Sequence, residues 1–150
     1  MISVTINLDT SRFDRMMSDF PAAMARARLK ALKTIGDRIR NDTGRAFKTA
    51  SLRPAPWAPR KDTKATHPLL IKHPVGGLWQ SFQSRLTGSD TVVVYTDKKY
   101  AGYHQLGTKK MPARPFFPFD RNGQPTPRIM RKIKADIEAA YEAELRKLGR

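Results

Sequence analysis

Three histidines, thirteen carboxylates and no cysteine are the groups with which this 150-residue chain could do chemistry. His67, His73 and His104 never fall at the i, i+4 spacing that puts two imidazoles on one helix face. With no thiolate to complete a set, a zinc site is not expected. No glycine-rich phosphate loop of the mononucleotide or dinucleotide type is present. The acids fall mostly on expected surface helices, and no two cluster in a loop as an acid–base pair. His104, next to Gln105, has the chemistry of a general base. The reading that outweighs it is a half-buried histidine whose ring nitrogens satisfy backbone groups. The sequence therefore points to no catalysis, no metal and no cofactor.

Cations are the second chemically active class. The 29 Lys and Arg against 13 Asp and Glu leave a net charge of +16. The excess is uneven: Phe20 to Lys61 carries eleven basic residues against only Asp37 and Asp42. Arg26, Lys30, Lys33 and Arg40 fall at i, i+4, i+7 and i+14, on one side of an expected helix. Such a stripe faces DNA phosphates, an acidic protein partner, or only water. No zinc finger, RNP motif or helix-turn-helix accompanies it, and no aromatics interleave between Arg26 and Arg45. At most the charge makes a sequence-independent phosphate surface.

Rigidity is concentrated elsewhere. Tyr100-Ala-Gly-Tyr-His-Gln-Leu-Gly-Thr108 reads as a short helix or turn that stops at Gly107, and Met111-Pro-Ala-Arg-Pro-Phe-Phe117 follows. Pro112 and Pro115 fix their own φ, and they push Met111 and Arg114 toward extended backbone. Phe116, Phe117 and Phe119 then offer apolar area. A stiff arm tipped with aromatics suits docking, on a neighbouring subunit or on its own sheet, better than catalysis.

The remaining elements follow from periodicity. Ile2, Val4, Ile6 and Leu8 alternate with polar residues as in a strand with one buried face. Phe13 to Phe20 predicts a short helix, with a break or kink at Pro21 and a longer helix from Pro21 to Lys48. Its apolar stripe is Met24, Leu32, Ile35, Ile39 and Phe47, weakened by Gly36 and Gly44. Residues 50–68 carry four prolines among Lys, Arg and Thr, which predicts a flexible loop. Trp57 is its one bulky aromatic, either a docking anchor or a lid folded back on its own domain. Strands are expected at Leu78 to Leu86, at Thr91 to Thr96 (buried on both faces), and at Phe116 to Phe119, with a hairpin turn at Gly88-Ser89. The last helix has an apolar stripe from Ile129 to Leu148, with Thr126 as N-cap, Pro127 in the first turn and Gly149 as C-cap. No apolar run approaches membrane-spanning length. The first residues lack the pattern of a signal peptide and read as the start of the fold.

The Tyr100–Phe116 stretch resembles the tail-completion and head–tail joining proteins of tailed bacteriophages, the group described as virion morphogenesis proteins. Their pattern is Tyr-Ala-x-x-His-Gln-Phe-Gly, then Pro-Ala-Arg-Pro-Phe. Tyr100, Ala101, His104, Gln105 and Gly107 match, with Leu106 in place of Phe, and Pro112 to Phe116 match throughout. An upstream Thr-Gly-x-Leu-x-x-Ser pattern is met by Gly76, Leu78 and Ser81, with Val75 where the Thr stands. The resemblance implies a structural protein of the virion tail or neck, assembled in the bacterial cytoplasm, that completes the tail or joins it to the head. It further implies a homo-oligomeric ring, often a hexamer, with tail-tube or tail-terminator and head-connector proteins as partners. Contact with genomic DNA remains open, and no membrane is involved. The alternative is a sequence-independent nucleic-acid-binding protein of a phage or prophage.

The expected architecture is a single α+β domain spanning residues 1–150, with a small mixed or antiparallel sheet of about four strands packed against a long N-terminal helix and a C-terminal helix. The expected subunit or partner interface is Trp57, Tyr100, His104, Gln105, Arg114, Phe116 and Phe117. Arg26, Lys30, Lys33 and Arg40 are the expected DNA or acidic-partner face.

Overall fold

The computed structural model describes residues 11–72, 75–120 and 122–149, with side chains from residue 15 onward. The strand expected at Ile2 to Leu8, and His73, lie outside the described residues. The first element, α1, runs from Ser11 to Ala46 as one helix with Pro21 inside it. The expected break at Pro21 does not occur. A proline there costs the hydrogen bond to the carbonyl of Met17. Both residues are exposed, so water can reach that carbonyl. The helix also stops two residues before Lys48, where the amides of Lys48 and Thr49 close back on the Arg45 carbonyl.

The last element, α3, spans Pro127 to Leu148 and packs on α1. The ion pairs Arg26–Glu144, Arg38–Asp136 and Lys132–Asp42 run in opposite chain directions, so the two helices are antiparallel. The contact is lined by small residues. Ala23, Ala27 and Ala31 are at most 3% exposed, and their i, i+4 spacing lets the α3 backbone approach closely. Periodicity in Met, Leu and Ile alone misses this seam. Arg38 holds Asp136 with two hydrogen bonds of 2.5 and 2.6 Å, and Lys132 donates to Asp42 at 2.8 Å. The Glu144 side chain is nearly buried, yet it accepts from Lys147 at 2.5 Å and from Arg26 at 3.0 Å. Those donors, Lys147 first, hold its carboxyl below the usual carboxylate range. Asp42 and Glu144 are the buried exceptions among the described acids, which are expected from the sequence mostly on surface helices.

Two more features of α3 differ from expectation. Ile137 and Leu145 of the apolar stripe are 40% and 45% exposed, whereas Ile129 and Ala140 are buried. One partner helix covers a narrower sector than the stripe spans. Thr126 and Gly149 are the N-cap and C-cap as expected, but Thr126 makes no side-chain cap bond, and Gly149 closes the helix with its amide on the Leu145 carbonyl at a φ of −80° rather than a left-handed one.

Among the described residues the sheet has two strands rather than about four: β1 (Gln83–Thr87) and β2 (Thr91–Tyr95), antiparallel, with Gln83 opposite Tyr95 and Thr87 opposite Thr91. Gly88 opens the connecting loop at a φ of +72°. Val92 and Val94 turn toward α1, while Val93 is 36% exposed, so β2 is not buried on both faces. Phe116 to Phe119 forms no strand. Pro115 and Pro118 have no amide to donate, and the Phe116 and Phe117 amides are taken by a side chain described below. Gly36 is where the hairpin rests on α1: a Cβ there would lie 2.5 Å from Cγ2 of Val92. The glycines that weaken α1 by propensity are therefore points of close approach.

Among the described residues the core falls into two clusters. Ile35 and Ile39 of α1 meet Ile129, with Val94, Phe119 and Ile133 around them. Phe47, Ile71, Leu78, Phe82, Ala101 and Phe116 form the other. Within it, the Phe116 ring centroid lies 5.2 Å from Phe47, 5.3 Å from Phe82 and 5.3 Å from Phe117. Such offset and tilted pairs add to the stabilisation from apolar burial.

Candidate functional site

The arm and the short helix before it form one hydrogen-bonded unit. That helix, α2 (Ala101–Leu106), stops at Gly107, which has φ +76° and ψ +176°. Only glycine adopts this backbone readily. A Cβ at Gly107 would also sit 2.7 Å from the amide nitrogen of Ala113. The chain then makes a tight turn, with Thr108 and Met111 exchanging backbone hydrogen bonds of 2.8 and 3.3 Å. The turn returns the arm alongside α2, and the Arg114 amide donates to the His104 carbonyl at 2.7 Å. Gln105 completes the pairing. Its Oε1 accepts from the amides of Phe116 and Phe117 at 3.0 and 3.2 Å, in place of a neighbouring strand.

Arg114 and Trp57 tie the proline loop to the arm. Arg114 is 7% exposed, and its guanidinium donates to the carbonyls of Ala58 and Pro59, both at 3.0 Å. Trp57 donates from Nε1 to the Pro115 carbonyl at 2.7 Å. Its ring meets Phe47 edge-on at 5.5 Å, and the Arg53 guanidinium stacks on it at 3.9 Å. Of the two readings of Trp57, the lid folded on its own domain describes these contacts. Within the same loop, Arg60 donates to the carbonyls of Ala65 and His67.

His104 is half-buried beneath this clamp, and among the described residues its buried Nδ1 has no hydrogen-bond partner. Burial, and secondarily the Arg114 charge, push its pKa below the ordinary value. A histidine held neutral in this way stabilises the fold fully above its unfolded pKa of about 6.5. That contribution is lost as pH falls from there through the lower folded value. Urea-denaturation midpoints are therefore expected to fall between about pH 7 and pH 5, and to fall less in His104→Gln. A wild-type midpoint that rises over that window contradicts the assignment. Among the described residues no carboxylate hydrogen-bonds His104. Among the described residues, no three His, Asp or Glu converge as metal ligands.

The expected interface residues thus separate. Phe116 is 1% exposed and belongs to the chain's own core, as does buried Arg114. Phe117, Gln105, His104 and Trp57 are half-buried. Tyr100 is 44% exposed, and it is joined on the open side of α2 by Tyr103 at 60% and Leu106 at 78%. Sequence reasoning missed the latter two as surface residues. The i, i+3, i+6 spacing of Tyr100, Tyr103 and Leu106 was the available signal. The cationic face also divides. Arg26 is committed to Glu144 at 3.0 Å and Arg40 lies 3.6 Å from Asp37, while Lys30 and Lys33 are exposed.

The phage virion morphogenesis family matches residues 8–135, which takes in α1, the hairpin, the clamp and the first turns of α3. The chain belongs to that family. It is a structural family of phage proteins, and the residues of the clamp serve the fold: Gly107 turns, Gln105 and Arg114 bond, Phe116 packs. No curated protein and no solved structure matches the chain. Among the described residues, no helix is long and apolar enough to cross a membrane.

Proposed function

We propose that this virion morphogenesis protein completes the phage tail or joins it to the head, as one subunit of a homo-oligomeric ring. The supporting observation is the exposed row Tyr100, Tyr103 and Leu106, on a short helix that the arm's amides pin through His104 and Gln105. Large apolar groups held rigid before contact lose little entropy on docking. Tyr is among the residue types that dominate interface energies. The neighbouring copy in the ring is the partner this row serves, and tail-tube, tail-terminator or head-connector proteins meet the ring's other faces. The resemblance carries the ring and its frequent sixfold order. Its place is the tail or neck of the virion.

Tyr103→Ser with Leu106→Ser tests this reading. Native mass measurement of the purified protein, alone and with tail-tube protein, reads out assembly. Complementation of tails made without this protein reads out function. The double variant is expected to keep the wild-type unfolding midpoint, because both side chains face solvent, and to lose both the oligomer and tail completion. A variant that assembles and complements at the wild-type level refutes the ring contact.

A further inference from the structure

The C-terminal end of α1 carries a cationic groove whose lining does not include Tyr100, Tyr103 or Leu106. A groove of about 750 Å³ opens between that end and the turn Leu78–Gln80. Arg40, Arg45 and Lys48 line it, with Asn41, Thr49 and Gln80 as neutral polar partners and Trp79 as a wall. No carboxylate is among the described residues that line it. Arg40 has Asp37 at 3.6 Å and rests on Asn41, whereas Arg45 and Lys48 are exposed.

Two features build the groove. Gly44 lets the turn come close: a Cβ there would lie 2.8 Å from the Trp79 carbonyl oxygen. Trp79 is thereby set beside the cations, and the Lys48 ammonium sits over its ring at 4.1 Å from the centroid. A cation on an indole face is held in position before any anion arrives. It therefore loses less rotamer freedom on binding than a free lysine does.

The charge continues along the helix. Lys30, Lys33, Arg40 and Gly44 recur on one face of α1, and Lys30 and Lys33 are exposed. From Lys30 to Gly44 that face runs roughly 21 Å, at about 1.5 Å per residue, and Arg45 flanks its far end. Asp37 stands on this face between Lys33 and Arg40 and accepts from Ser84, and the cations along the line outnumber it, a balance that a polymer with regularly repeated negative charge matches. Acidic protein surfaces intersperse both signs and would leave part of the line unpaired.

We propose that this groove and the face leading to it bind the phosphodiester backbone of nucleic acid without reading its sequence. Arg40, Arg45 and Lys48 contact phosphates, and Asn41, Thr49 and Gln80 supply neutral hydrogen bonds. The inference is independent of the ring, because it is read on purified protein as DNA affinity alone.

The test is fluorescence anisotropy of dye-labelled duplexes of about 20 base pairs and unrelated sequences, titrated at several salt concentrations. Each neutralised phosphate contributes about 0.9 to the slope of log affinity against log salt. Arg45→Gln with Lys48→Gln is expected to lower that slope by about 2 and to weaken binding about tenfold at low salt. Lys61→Gln with Lys64→Gln removes the same charge from exposed loop positions outside the groove. This second pair is expected to change affinity less than about twofold. Single Arg45→Gln, at an exposed position, gives a slope change of about 1 should the double variant fold poorly. Equal losses from the two double variants overturn the proposal, since net charge alone then explains binding. So does wild-type protein that ignores both duplexes, or that prefers polyglutamate over DNA at equal charge concentration.

Discussion

Replacing Phe116 by Ala is expected to cost about 3–5 kcal/mol of folding stability. The ring is 1% exposed and is touched by Phe47, Phe82 and Phe117. Truncation removes its transfer energy and leaves a cavity among rings that cannot all close inward. Urea denaturation reads this as a lower midpoint with an unchanged slope. Phe117→Ala, at a half-buried ring, is expected to cost less. A Phe116→Ala protein within about 1 kcal/mol of wild type would mean that the ring is not a core residue. A loss in complementation by this variant reflects the fold, whereas the Tyr103 and Leu106 changes report on the proposed contact. That ordering separates the part of the motif that builds the surface from the part that presents it.

Gly107→Ala is expected to destabilise by about 3 kcal/mol, from two causes that add. Its backbone, at φ +76° and ψ +176°, belongs to a region essentially reserved for glycine, costing about 1–3 kcal/mol for other residues. The new Cβ would also meet backbone that cannot swing aside, at 2.7 Å from the Ala113 nitrogen and 3.0 Å from the Met111 oxygen. Relief requires the arm to move off α2, which strains the amide pairing to His104 and Gln105. Gly102→Ala is the matched control. Gly102 lies inside α2, and a Cβ added there would meet nothing within 4 Å, so alanine is expected to be neutral or to stabilise by up to about 1 kcal/mol. Hydrogen exchange of the Arg114, Phe116 and Phe117 amides tests the mechanism: protection is expected to fall in Gly107→Ala and to persist in Gly102→Ala. If both variants unfold at the wild-type midpoint, the turn carries no strain.

Elements whose signals are local were legible in the chain. Helix α3 starts at Pro127 as expected, because a proline in the first turn loses no hydrogen bond it needed. The stop of α2 at Gly107 was legible because few residues other than glycine end a helix so sharply. The Tyr-Ala…His-Gln and Pro-Ala-Arg-Pro-Phe resemblance led to the family that matches residues 8–135.

Tertiary structure decided what depends on partners far along the chain. Pro21 breaks a helix by propensity, yet α1 continues through it while α3 supports the following turns. The alanine seam Ala23, Ala27 and Ala31 has the helical spacing but no large apolar side chains to announce it, because closeness of backbones rather than side-chain size makes it a contact. Phe116 reads equally as a docking tip or a core ring, and the difference lies in whether Phe47 and Phe82, both distant in sequence, come to meet it. Likewise the charge total says that anions are attracted, but not where. Only the fold closes Arg26 onto Glu144, leaves Arg45 and Lys48 open, and sets Trp79 beside them through the missing side chain of Gly44. Sequence encodes local backbone preference and charge; which face each charge or ring meets is fixed by packing, through contacts that span most of the chain.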